Sequence, residues 1–128
     1  MRVLLDTDIL LRTLAGDPLV EKNIGDVLLA EDTEVYVSVI SWWDIAARIA
    51  SGSLQADLDE LREASVQSGF YELPLHGGHV RTLAGLPSCE LHITSFDRML
   101  AAQAETEPLR LISANRKLAG YTSMLVRI

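Results

Sequence analysis

The residues of this chain best able to do chemistry are acids that follow short apolar runs. Asp6 and Asp8 come after Val3-Leu4-Leu5, Asp44 after Val35-Tyr36-Val37-Ser38-Val39, and Asp97 stands in Thr94-Ser95-Phe96-Asp97. Asn115 follows Leu111-Ile112-Ser113 in the same way. Carboxylates gathered in one place repel one another unless a cation sits among them, and oxygen-only ligands suit Mg²⁺ or Mn²⁺. Each residue also has a plain structural use. Asp6 and Asn115 are good helix N-caps; Ser41-Trp42-Trp43-Asp44 and Thr94-Ser95-Phe96-Asp97 read as capping boxes with Asp in the place of Glu; Asp44 lies one turn before Arg48. Cap and ligand roles coexist in one residue, so the elements that carry these acids decide the matter.

The run at 3–5 reads as a buried parallel strand, and Ile9, Leu10 and Leu14 suit a following helix. Gly16-Asp17-Pro18 is a turn that opens a helix over 19–30, with Leu19, Ile24, Val27 and Leu28 facing inward. The β-branched stretch 35–39 is a second strand, and a helix starting at Ser41 carries Asp44 in its first turn. A helix over 57–67 is built on Leu58, Leu61 and Val66, a short strand follows at 70–75, and 77–86 forms a helix weakened by two glycines, with His76 and His79 on its surface. His92 falls in a loop before a strong helix that Pro108 stops, and 109–113 and 124–126 are the last strands. Strands alternating with helices predict an α/β fold: a three-layer α/β/α sandwich around a mainly parallel sheet of about five strands. In a right-handed sheet of this kind the strand-to-helix turns share one edge, where ligand crevices form.

The 128 residues, 48% hydrophobic and 23% charged, suit one globular domain over 1–128. The net charge of -7 is uneven: residues 1–90 hold six basic against fifteen acidic side chains, and residues 91–128 five against three. Such a balance argues against tight non-specific binding to a phosphate backbone, but it admits an enzyme that meets phosphates through divalent cations, or a basic protein partner. Cys89 is the only cysteine, which excludes an intrachain disulfide, and no run reaches the roughly 18 apolar residues of a membrane span. A cytoplasmic protein without an anchor is expected.

Asp6-Thr7-Asp8, Ser41-Trp42-Trp43-Asp44-Ile45-Ala46, His92-x-x-x-Phe96-Asp97-Arg98-Met99-Leu100-Ala101-Ala102-Gln103-Ala104 and Leu111-Ile112-Ser113-Ala114-Asn115-Arg116 fall in order along the chain. Together they resemble the PIN-domain proteins, specifically the VapC-like toxin ribonucleases of bacterial toxin-antitoxin modules. The resemblance spans nearly the whole chain, and the third motif is its most specific part. It implies an endoribonuclease dependent on Mg²⁺ or Mn²⁺, with the acids at Asp6, Asp44 and Asp97, and with Ser113 ordering the pocket. It also implies an RNA substrate, a cognate antitoxin and a homodimer. Thr94-Ser95 stands where the family pattern has Asp-Pro, Asp44 where it has Glu, and Asn115 where it has a late Asp; Asp8 adds a further charge beside Asp6. Arg98 and Arg116, next to these positions, are candidates for phosphate contact. Trp42 and Trp43 are expected in the core. Two other readings stay open: a PIN-like domain weakened in catalysis that keeps antitoxin binding, and a phosphoacceptor receiver domain, which also collects acids near its first strand.

Overall fold

Val3, Leu4 and Leu5 are fully buried, as a strand covered on both faces requires, and they form the centre of the sheet. The computed structural model describes all 128 residues. In chain order they form β1 (Arg2–Leu5), α1 (Thr7–Leu14), α2 (Pro18–Leu29), β2 (Glu34–Ser38), α3 (Val39–Ala50), α4 (Leu58–Gln67) and β3 (Tyr71–Leu73). Then come α5 (Gly77–Ala84), α6 (Ser95–Thr106), β4 (Arg110–Ser113), a 3-10 turn (Arg116–Gly120) and β5 (Leu125–Arg127). All pairings are parallel, in the order β3-β2-β1-β4-β5. No helix is long and apolar enough to cross a membrane.

Alternation along β1 divides the core in two. Leu4 faces a layer built with Leu100, Ala101, Leu111 and Leu118, while Val3 and Leu5 face one built with Ile9, Leu10, Ile24 and Ile45. The result is the expected α/β/α sandwich with five strands. Helix α3 belongs to both layers, since Ile40 packs on the α6 side and Trp42 and Ile45 on the α1 side. It thus crosses the end of the sheet between α1 and α6. The strand order overturns the receiver reading: a receiver sheet runs 2-1-3-4-5, whereas here β1 lies between β2 and β4.

Several local expectations change. Helix α3 begins at Val39, capped by the Ser38 hydroxyl on the Ile40 N–H at 3.0 Å, so Asp44 sits in its second turn and Ser41 is no cap. On α2 Ile24, Val27 and Leu28 face the core as expected, but Val20 joins them in place of Leu19, which is exposed, because Pro18 starts the helix in the register set by the Asp17 cap. Val66 is exposed too, and Ser65 takes the buried position on α4. Trp42 is buried as expected, but Trp43 is 62% exposed, because two neighbours on one helix face different ways.

His79 also departs from expectation: it is fully buried rather than on the surface of α5. Its Nδ1 accepts the His76 N–H at 3.0 Å, which leaves the proton on Nε2 to be donated to Glu107 Oε2 at 2.6 Å. A buried imidazole with both nitrogens satisfied is a sound core residue, and it joins α5 to the end of α6.

Candidate active site

Strands run outward from β1 through β2 to β3 on one side, and through β4 to β5 on the other. The connection reverses between β1 and β4, and a crevice opens beyond the carboxyl ends of strands at such a point. Asp6 directly follows β1 and Ser113 ends β4, so both stand there. Ser113 Oγ donates to Asp6 Oδ2 at 2.5 Å and accepts the Asn115 N–H at 3.0 Å. Asp6 Oδ1 accepts the Ile9 N–H at 2.8 Å, which makes it the N-cap of α1. Cap and pocket residue coincide in this side chain.

Asp6 is only 5% exposed and has no cationic partner among its hydrogen bonds. Burial pushes its carboxyl up to about 6, the Ser113 and Ile9 hydrogen bonds pull it back in part, and the charges of Asp8 and Asp97 push it further up. Asp97 is N3 of α6 in a reciprocal capping box: its N–H donates to Thr94 Oγ1 at 3.0 Å, and its Oδ2 accepts the Thr94 N–H at 3.1 Å. Burial raises Asp97 as well; the two Thr94 bonds oppose that rise, and Asp44 and Asp8 add to it. The four acids therefore share one electrostatic environment, although they come from α1, α3 and α6.

The third helix acid is held differently. Both oxygens of Asp44 accept from Arg48, Nε to Oδ1 at 2.9 Å and Nη2 to Oδ2 at 3.1 Å, and Arg48 Nη1 reaches Asp8 Oδ1 at 2.8 Å. Asn115 caps the 3-10 turn with its Oδ1 on the Lys117 N–H, while its Nδ2 donates to the His92 carbonyl at 3.0 Å. Of the two candidate phosphate contacts, Arg98 aims its guanidinium at the carbonyls of Leu83 in the last turn of α5 and of Leu86 and Pro87 beyond it, whereas Arg116 is exposed at the start of the 3-10 turn. Trp43, next to Asp44, meets Phe96, next to Asp97, edge to face with ring centroids 5.4 Å apart.

Two contributors are not evident from residue types. Gln103, fully buried on α6, accepts the Ser38 hydroxyl at 2.5 Å and donates to the Pro74 carbonyl at 3.3 Å, tying the start of α3 to α6. Thr7 donates to Ser41 at 3.3 Å and ties α1 to α3. The Ala-Ala-Gln-Ala run marks Gln103 as a polar residue on an apolar face, which is the signal that it has a buried partner.

The donor set suits a hard divalent cation in kind, since every candidate ligand is an oxygen and Asp6 and Asp97 carry negative charge without a cation beside it. No three Asp, Glu, His or Cys side chains are close enough together to form a ready ion cage. The fit is therefore to two open carboxylates and one engaged by Arg48.

An all-parallel α/β sandwich with acids from three helices at its switch point defines the class of this molecule. The model of the PIN domain matches residues 3–122, and the chain belongs to that family. Among solved structures, it is similar to VapBC2 from Rickettsia felis bound to a DNA fragment from its promoter, with a TM-score of 0.70 at 17% identity over 100% of this chain and 98% of that one. It is also similar to a toxin-antitoxin complex from Klebsiella pneumoniae, with a TM-score of 0.64 at 18% identity over 98% of this chain and 99% of that one. No curated protein matches the sequence.

Proposed function

We propose that this chain is the VapC-like toxin of a toxin-antitoxin module, a cytoplasmic endoribonuclease dependent on Mg²⁺ or Mn²⁺. The observation that supports the reading is the pair of carboxylates from the first and last thirds of the chain, buried Asp6 and half-buried Asp97, which act on one another electrostatically and accept hydrogen bonds from neutral donors alone. Asp6 and Asp97 would hold the ion, and Asp44 completes the acidic wall. When bound, a divalent ion lowers the pKa of a water and offsets charge on a phosphodiester in the transition state. Ser113 fixes the rotamer of Asp6 and links it to Asn115. Arg116 supplies a positive group for the phosphate backbone, and the exposed Trp43 on Phe96 offers an unpaired base a surface to stack on. A cognate antitoxin belongs to the same reading, supported by the likeness to the two toxin-antitoxin complexes, and a homodimer is proposed with it.

Purified protein incubated with structured RNA is expected to cleave it with Mn²⁺ or Mg²⁺ and not with chelator. Asp6→Asn and Asp97→Asn are each expected to remove the cleavage. Metal-independent cleavage, or cleavage retained by both variants, refutes the proposal. The second reading, a domain weakened in catalysis that keeps antitoxin binding, draws on Asn115, whose amide is spent on His92 and Lys117. A folded protein that leaves RNA intact with either metal but binds its antitoxin favours that reading.

A further inference from the structure

Arg48 lies four residues after Asp44 on α3, so the two are preset as neighbours by the helix itself. The guanidinium grips both carboxylate oxygens of Asp44 in a two-pronged arrangement and reaches Asp8 on α1 with its remaining terminal nitrogen. The Asp44 side chain is 9% exposed and that of Arg48 34%, so water competes weakly at the Asp44 end. Asp6 and Asp97 accept only from neutral donors: Ser113 and Ile9 for the one, Thr94 for the other. One cation thus serves two acids of the pocket and leaves the other two unserved.

We infer that Arg48 is the resident counter-charge of the acidic pocket and withholds Asp44 from direct coordination, so that a divalent ion is held by Asp6 and Asp97. The inference rests on the metal-dependent reading and assigns the roles within it. Direct ligation by Asp44 would have to use lone pairs whose negative charge Arg48 already offsets, and it would set a guanidinium facing a divalent cation at short range, which is repulsive. Asp8 is likewise shared with Arg48, so it adds negative potential rather than a ligand. Arg48 is a positioning residue: it sets how strongly the pocket attracts cations by deciding how many carboxylates are open.

The test is Mn²⁺ binding to the full chain, followed by calorimetry and by loss of the free-ion electron spin resonance signal, with circular dichroism as the check on folding. Asp6→Asn and Asp97→Asn are expected to weaken binding about tenfold or more, and Asp44→Asn far less. Arg48→Met is expected to tighten it about tenfold by freeing Asp44, with the gain lost in the Arg48→Met/Asp44→Asn double variant. Arg48→Lys keeps a charge but not the fork, and gives a smaller gain if the methionine variant fails to fold. An Asp44→Asn loss as large as that of Asp6→Asn, with Arg48 variants binding no tighter, overturns the inference and leaves the metal reading standing. Absence of Mn²⁺ binding in the wild type and in every Arg48 variant overturns both.

Discussion

Asp6 does two jobs whose energetics oppose one another. As a cap it stabilises α1, but its ionised form is poorly solvated and faces other acids. Its folded pKa of about 6 lies above its ordinary 3.8, so ionisation opposes folding. Stability associated with this group is present below about pH 4 and is lost as the pH rises towards 6. In chelator, Asp6→Asn is therefore expected to stabilise the protein at pH 7.5 by on the order of 2–3 kcal/mol, because Asn still caps the helix. Urea denaturation at pH 7.5 and pH 4 checks this: the advantage should vanish at the lower pH, and a pH-independent effect contradicts the assignment. Asn115→Asp behaves in the opposite sense. It adds a carboxylate to the site but replaces the donor to the His92 carbonyl with an acceptor, so about 1–2 kcal/mol of stability should be lost in the same assay.

At the scale of elements, legibility follows from how local the governing interactions are. The Thr94 to Asp97 capping box is read correctly because both halves lie within four residues and bond only to each other. The start of α3 is misread because its cap, Ser38, is the last residue of a strand, and its hydroxyl is also fixed by Gln103, 65 positions away. Burial of His79 is hidden for the same reason, since Glu107 supplies its partner from the far end of α6. Trp43 is exposed because α3 straddles two layers, a tertiary fact with no periodic signature. These contacts also rank the caps. Ser38→Ala removes the α3 cap and leaves the buried Gln103 oxygen without its donor, and is expected to cost about 2–3 kcal/mol in urea denaturation. Thr94→Ala, at an exposed cap, is expected to cost about 1 kcal/mol. Equal losses speak against the Ser38–Gln103 link as a stabilising contact.

For the whole molecule, fold class and strand number were legible because alternation of short apolar runs with helical stretches admits few arrangements. The strand order needed the pairing of β1 with β4, which joins Val3 to Arg110 and leaves no mark in local sequence. The uneven charge has a bulk consequence: a cation bound by the folded state and not by the unfolded chain stabilises the fold by mass action. With Mn²⁺ at a hundred times its dissociation constant, the wild type should gain about 2.7 kcal/mol, and the Asp6→Asn/Asp97→Asn double variant should gain nothing. Thermal denaturation with and without the ion reads the difference.

The β1–β4 pairing also orders events in time. During synthesis the central strand emerges before the other strands of the sheet, and β2 and β3 can dock on one of its sides while the other waits for residues 110–113. Ser113, which orients Asp6, and the strand against which α6 packs belong to β4, made after β1, β2 and β3. A nascent chain of this protein therefore carries its acids without their arrangement until β4 has been made. On the ribonuclease reading proposed above, the protein stays inert beside the message and ribosome that produce it until β4 has joined the sheet.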